Sequence, residues 1–201
     1  MKKNIVITGG LGYIGTELCK IYSGVSWNNN ITVIDNRFVS ERVNQLRNWN
    51  IEFVQGDILD KGFILQQCKN ADTIHHLAGI TSVPRVKSES NNLLDENIKK
   101  VAEQGTQNIL DAMNNNCKII FPSTHVVFEG IDKVKNDILE DEVLKPILSY
   151  STSKAVNEKQ LKDSGKNYII LRLGSVYGYS LDTARVDIMP NLFSKITSQN
   201  G

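Results

Sequence analysis

Apolar residues in this chain fall in short, nearly continuous runs, and between those runs they recur at helical spacing. Lys3–Thr8 is apolar and β-branched, and beyond a cluster of glycines Ile14, Leu18, Ile21 and Tyr22 mark one face of a helix over 13–23. A second strand is predicted at 31–35 (ITVID) and a third at 51–57 (IEFVQGD), each closing on an acid. A short helix at 63–68 leads to a fourth strand at 73–79 (TIHHLAG).

The longest helical stretch, 91–114, carries Leu94, Ile98, Val101, Ile109 and Met113 as a stripe interrupted by charge. A fifth strand at 118–123 (KIIFPS), a helix at 150–164 and a sixth strand at 168–173 (YIILRL) complete the pattern. Short apolar strands alternating with helices predict a parallel sheet covered on both faces, the doubly wound α/β arrangement of three layers, α/β/α. No internal repeat or Gly/Pro/Ser-rich linker divides the chain, and the polar segment 132–142 reads as a surface loop of the kind that approaches ligands.

Composition narrows the partners. With 201 residues and 40% hydrophobic content the chain is long enough for one self-sufficient core. Lys plus Arg (23) balances Asp plus Glu (22), so the formal charge of +1 leaves no electrostatic footprint for nucleic acid or an anionic membrane. A small-molecule partner is expected instead. Cys19, Cys68 and Cys117 are odd in number, widely spaced and set in apolar or helical patterns, which reads as reduced thiols in the cytoplasm. No apolar run reaches the roughly 18 residues needed to span a bilayer.

In an open α/β sheet, ligands collect at the carboxyl ends of the strands. There the first strand runs into Thr8-Gly9-Gly10-Leu11-Gly12-Tyr13-Ile14-Gly15, which satisfies both GxxGxxG and GxGxxG. Glycines let backbone N–H groups approach a pyrophosphate while the following helix presents its positive end, although a glycine turn can also be purely structural. Asp35, twenty residues beyond Gly15 at the end of the next strand, favours the phosphate cradle: an acid there accepts the ribose hydroxyls and repels a 2′-phosphate. NAD is therefore preferred over NADP, with Arg37 leaving some room for the phosphate.

Asp57 closes the third strand and suits either an adenine amino group or the cap of the following helix. Leu77, Ala78 and Gly79 end the fourth strand, small enough either to lie against a cofactor or to make a close-packed turn. His75 and His76 have no metal partner at a usable spacing and read as structural.

Tyr150 and Lys154 stand at i and i+4 on one helical face. A phenol of ordinary pKa near 10 is a poor base at neutral pH, but a nearby ammonium and a positive nicotinamide favour its phenolate. Ser123 and Thr124 end the preceding strand, where Thr124 can hold the substrate oxygen that Tyr150 protonates or deprotonates and Lys154 can bind the nicotinamide ribose. Protein groups then move the proton while the cofactor moves the hydride.

With TGGLGYIG, Asp35, HLAG, Ser123-Thr124, YSTSK and Arg172-Leu173-Gly174-Ser175-Val176-Tyr177-Gly178 in this order, the chain resembles the extended short-chain dehydrogenases of the NAD-dependent epimerase/dehydratase family. The resemblance runs over essentially the whole chain. It implies a Rossmann domain binding NAD, with residues from about 175 beginning a substrate part that is incomplete here. It implies Thr124, Tyr150 and Lys154 as catalytic residues, a nucleotide-sugar substrate touched by Thr124 and Ser175, and cofactor contacts from Gly9, Gly12, Tyr13, Ile14, Gly15, Asp35, Asn36, Asp57, Ile58, Leu77, Ala78, Gly79, Ser123, Tyr150 and Lys154. It also implies a homodimer through the helices 91–114 and 150–164.

Four departures bear on the reaction. Members that are 4,6-dehydratases follow the catalytic Thr with Asp and Glu, whereas His125 and Val126 follow here, which argues against that elimination. The frequent Asn three residues before Gly-Thr is Ala102, ahead of Gly105-Thr106, and the substrate-contacting Asn of RxxNVYG is Ser175. The family's sugar-nucleotide pocket is completed well beyond position 201, so this is either a shortened member or part of a longer chain. The expectation is a nucleotide-sugar epimerase; the alternatives are a reductase or dehydrogenase of the same family, or a dinucleotide-binding protein without turnover.

Overall fold

The computed structural model describes residues 2–81, 92–180 and 188–200. Six strands, β1 (Lys3–Thr8), β2 (Asn29–Asp35), β3 (Glu52–Gln55), β4 (Thr73–His76), β5 (Lys118–Thr124) and β6 (Asn167–Leu173), form one sheet in the order β3-β2-β1-β4-β5-β6. Every pairing is parallel. Helices α1 (Tyr13–Ser23), α2 (Ser40–Asn48), α3 (Lys61–Cys68), α4 (Asn92–Ala112) and α5 (Ser149–Asp163) connect them, and α6 (Met189–Asn200) follows β6.

Because side chains alternate across a strand, each apolar strand feeds two cores. Ile5, Ile7, Ile31 and Val33 pack with Cys19 of α1 and with Val43 and Leu46 of α2. On the other face Val6, Ile34, Ile74, Ile119 and Phe121 pack with Ile64 of α3, Ile109 of α4 and Leu161 of α5. These are the three layers the sequence pattern implies. The strand order reverses between β1 and β4, and their carboxyl ends carry the glycine loop and Leu77-Ala78-Gly79.

Two helices were not legible in the pattern. Helix α2 buries only Val43 and Leu46 among polar residues, too thin a stripe to register, and α6 lies in the stretch from which no element was expected. The third strand ends at Gln55 rather than 57, the fourth at His76 rather than 79, and the helix expected over 91–114 is Asn92–Ala112, with position 91 outside the described residues. Pro122 is tolerated inside β5 because β5 pairs with β4 only as far as Ile120, so the missing N–H falls where that neighbour has ended. At the open edge, β6 leaves Tyr168, Ile169 and Leu171 half-exposed.

All three cysteines are free and buried. Among the described residues, no helix is long and apolar enough to cross a membrane, and no group of three or more His, Cys, Asp or Glu could hold a metal ion.

Candidate active site

The glycine loop is shaped by contacts that forbid side chains. Gly9 has φ +70°, and a Cβ there would lie 2.7 Å from the Ala78 amide nitrogen; its own N–H bonds the Ile34 carbonyl at 2.7 Å. A Cβ on Gly15 would fall 2.5 Å from the Gly9 carbonyl oxygen, so α1 starts pressed against the loop. Gly12 is the N-cap of α1 and no side chain caps this end, leaving the positive helix terminus at the sheet's reversal point. Those are the properties a pyrophosphate needs.

Asp35 is buried at the end of β2, where one carboxylate oxygen accepts from Leu11 N–H (3.1 Å) and the other from the backbone N–H (3.0 Å) and Nε (3.3 Å) of Arg37. The acid is thus tied to the glycine loop it is expected to serve. Asn36 is exposed and donates to Asp57 at 3.5 Å. Asp57, also exposed, accepts from Leu59 N–H at 2.9 Å, while the cap of α3 is Asp60, bonded to Phe63 N–H at 2.9 Å. The capping role open to Asp57 in the sequence therefore belongs to Asp60. Ile58 points inward: a Cβ on Gly105 would lie 2.3 Å from its Cδ1, and its carbonyl accepts from Asn108.

A cavity of about 20 Å³ is lined by Leu77, Ala78 and Gly79 from the end of β4, by Tyr150, Ser153, Lys154 and Asn157 from α5, and by Ile98, Ala102 and Thr106 from α4. Leu77, Ala78 and Gly79, expected along the cofactor, thus meet Tyr150 and Lys154, expected to move the proton, in one place. Lys154 donates to the Pro122 carbonyl at 2.8 Å and lies 4.4 Å from the Phe121 ring centre. Its burial lowers its pKa from 10.5 to about 8. His76, fully buried beneath it, is held neutral with a pKa near 3, by burial first and by the Lys154 charge second.

Other predicted positions are placed differently. Thr124 is buried at the end of β5, where its hydroxyl accepts from Val126 N–H (3.3 Å) and caps the 3₁₀ turn His125–Phe128; it does not line the Tyr150 cavity. The Ser123 hydroxyl donates to Glu158 at 2.6 Å, which leaves its oxygen as an acceptor. Tyr13 directs its hydroxyl to the Gly178 carbonyl and receives a bond from Asn191 of α6 at 3.4 Å. Ile14 is 37% exposed on α1. Ser175 is exposed beyond the end of β6.

The structure adds supports the motifs did not indicate. Buried Glu158, one turn past Lys154, accepts two bonds from Arg172 (3.0 and 2.7 Å) besides the one from Ser123, and this fixes the ends of β5 and β6 against α5. Glu129 caps α5 from outside, accepting from the N–H groups of Ile147 and Leu148 (both 2.7 Å) and from the Ser151 hydroxyl. Spacing from Lys154 offered a signal for Glu158; nothing local offered one for Glu129, which lies 19 residues before Leu148.

A family model described as the NAD dependent epimerase/dehydratase family matches residues 5–200. Among curated proteins, a UDP-N-acetyl-alpha-D-glucosaminuronate decarboxylase of Bacillus cytotoxicus is 32% identical, covering 89% of this chain and 56% of the relative. A dTDP-D-glucose 4,6-dehydratase of Dictyostelium discoideum is 29% identical over 87% of this chain and 44% of its own length. The solved UDP-glucose 4-epimerase of Brucella ovis in complex with NAD superposes with a TM-score of 0.73 at 27% identity, covering 90% of this chain and 54% of that one. The chain spans about half the length of the curated relatives it matches.

Proposed function

Because the chain belongs to the NAD dependent epimerase/dehydratase family, we propose that it holds the cofactor site and the proton-transfer residues of an NAD-dependent nucleotide-sugar epimerase. The observation that carries this reading is the single cavity that joins Tyr150 and Lys154 to Leu77, Ala78 and Gly79. NAD, when bound, would supply a reversible hydride acceptor that takes the hydride from the sugar carbon and gives it back. The remaining work falls to residues of the chain.

The glycine loop and the N-terminus of α1 hold the pyrophosphate, and buried Asp35 accepts the adenosine ribose hydroxyls. Lys154, with one N–H given to Pro122, keeps two donors for the nicotinamide ribose, and its charge favours the Tyr150 phenolate. Tyr150 takes the proton from a sugar hydroxyl and returns it once the keto sugar has presented its other face, so no net redox change results. Thr124 serves the substrate oxygen from the end of β5, and Ser175 contributes to the sugar side. His125 and Val126, standing where a 4,6-dehydratase carries acid and base, favour epimerisation over water loss.

Helices α4 and α5 pack side by side and are the proposed homodimer face. Three buried free thiols favour the reducing cytoplasm.

The test is to incubate the chain with UDP-, GDP- and dTDP-sugars, without added NAD, and to follow epimers by NMR and cofactor by absorbance at 340 nm. Epimer formation without net NADH supports the proposal. Stoichiometric NADH would make the protein a dehydrogenase, and a chain that binds NADH yet turns over no sugar would sink the assignment of epimerase activity.

A further inference from the structure

Helices α1 and α2 cover one side of the sheet, and a cavity of about 130 Å³ lies between them. The glycine loop contributes Gly10 and Leu11 to its wall, α1 contributes Thr16, and α2 contributes Gln45 and Leu46 with its C-cap, Trp49. Glu41 and Arg42, from the first turn of α2, complete it. Neither Asp35 nor Asp57, the acids expected on the adenosine, lies on this wall. The cavity is therefore separate from the proposed cofactor site and lies behind its glycine loop.

The wall is apolar with one unanswered polar group. Leu11 and Leu46 are buried, and half-buried Trp49 packs on the same core. Thr16 is only 5% exposed, and its hydroxyl has no hydrogen-bond partner. An unsatisfied buried hydroxyl is costly, and native interiors seldom keep one. Glu41 is exposed, so the cavity reaches the surface on that side. Glu41 and Arg42 carry opposite charges, so the mouth favours neither sign.

We propose that this cavity binds one uncharged single-ring aromatic alcohol, a phenol, and that its occupancy strengthens cofactor binding. Apolar cavities of about 150 Å³ take up benzene, so this space suits one ring and is too small for two fused rings. The ring lies against Leu11, Leu46 and the Trp49 indole, and its hydroxyl gives Thr16 the partner it lacks.

Leu11 links the cavity to the cofactor site. Its carbonyl accepts from Arg42 on the cavity wall, and its N–H donates to buried Asp35 at 3.1 Å. A ring packed on Gly10 and Leu11 restricts the loop in advance, so less entropy is lost when the loop closes on a pyrophosphate. By reciprocity, cofactor tightens phenol by the same factor. The effect on cofactor rests on the proposed reading of the glycine loop, whereas phenol binding does not.

In ¹H–¹⁵N NMR of the ligand-free chain, Trp27→Phe distinguishes the two indole N–H signals. Phenol is expected to shift Trp49 with a Kd on the order of 1 mM and to leave exposed Trp27 unmoved. Gln45→Phe, which fills the cavity from half-buried ground on α2, is expected to weaken phenol at least about tenfold. The wild type is expected to prefer phenol to toluene by about fivefold or more, and Thr16→Val, which keeps the shape and removes the hydroxyl, to lose that preference. Saturating phenol is expected to lower the Kd for NADH, followed by fluorescence, about fivefold. The proposal is overturned by no saturable shift of Trp49, by a phenol preference that survives Thr16→Val, or by an NADH affinity indifferent to saturating phenol. A chain that takes phenol as described yet binds no NADH counts against the proposed function and leaves the phenol site standing.

Discussion

Helix α5 carries the proposed acid/base in its first turn, yet its N-cap residue is Leu148, which has no side chain to offer the free N–H groups. Glu129 supplies what Leu148 cannot. Its Oε1 accepts from Ile147 N–H and Leu148 N–H at 2.7 Å each and from the Ser151 hydroxyl, which bracket Tyr150 in sequence. Glu129→Ala removes all three bonds and a negative charge from a helix N-terminus. Lost caps cost about 0.5–2 kcal/mol and hydrogen bonds to charged groups about 1.5–3. Since Glu129 is only half-buried and water can replace part of the loss, about 2 kcal/mol is expected.

In a chain of this length that corresponds to a fall in Tm of about 4–8 °C, measured by circular dichroism at pH 7. Glu129→Gln, which keeps an acceptor, should lose less than half as much. Burial pushes the Glu129 carboxyl up, but the bonds from Ser151, Leu148 and Ile147 outweigh it and hold the group below the usual value. A depressed carboxylate contributes stability above its unfolded pKa, about 4.3, and loses it as pH falls through the lower folded value. The gap between wild type and Glu129→Gln should therefore close below about pH 4. Equal melting of wild type and Glu129→Ala at pH 7 would refute the reasoning that α5 is capped from outside.

Tyr150→Phe should abolish epimer formation while NADH binding, followed by fluorescence, stays within about threefold, because the ring remains and only the proton carrier is lost. Gly9→Ala should lose NADH binding and at least about 2 kcal/mol of stability in urea melts, since the new Cβ meets Ala78 at 2.7 Å in a left-handed backbone. Lys154→Met should inactivate the protein yet raise its Tm at pH 7. The buried ammonium, lowered from 10.5 to about 8, costs on the order of 3 kcal/mol while charged. Because the unfolded lysine binds a proton more tightly, wild-type stability should recover as pH rises from about 8 towards 10.5, and the advantage of Met should shrink over that window.

Much of this molecule is encoded locally. Runs such as Lys3–Thr8 and the repeat of strand and helix determine an α/β sheet, because alternating side chains buried on both faces leave a parallel sheet as the arrangement that covers them. The glycine loop, Asp35 and the Tyr150–Lys154 spacing were legible for the same reason: each depends on neighbours within one turn, or on a strand end whose place follows from the strand. Helix α2 was not, since two buried residues among polar ones give no period to read.

Only the tertiary structure decided what holds each side chain in place. Ser123 and Thr124 are adjacent in sequence, yet one is bound to Glu158 and the other caps a turn, because β5 delivers them beside different partners. Glu129 reaches α5 across a loop, and Ser153, unremarkable within YSTSK, is a buried hydroxyl without a partner where α5 packs against α4. Hydrogen bonding and burial depend on distances between elements remote in the chain, and sequence periodicity carries no record of those distances.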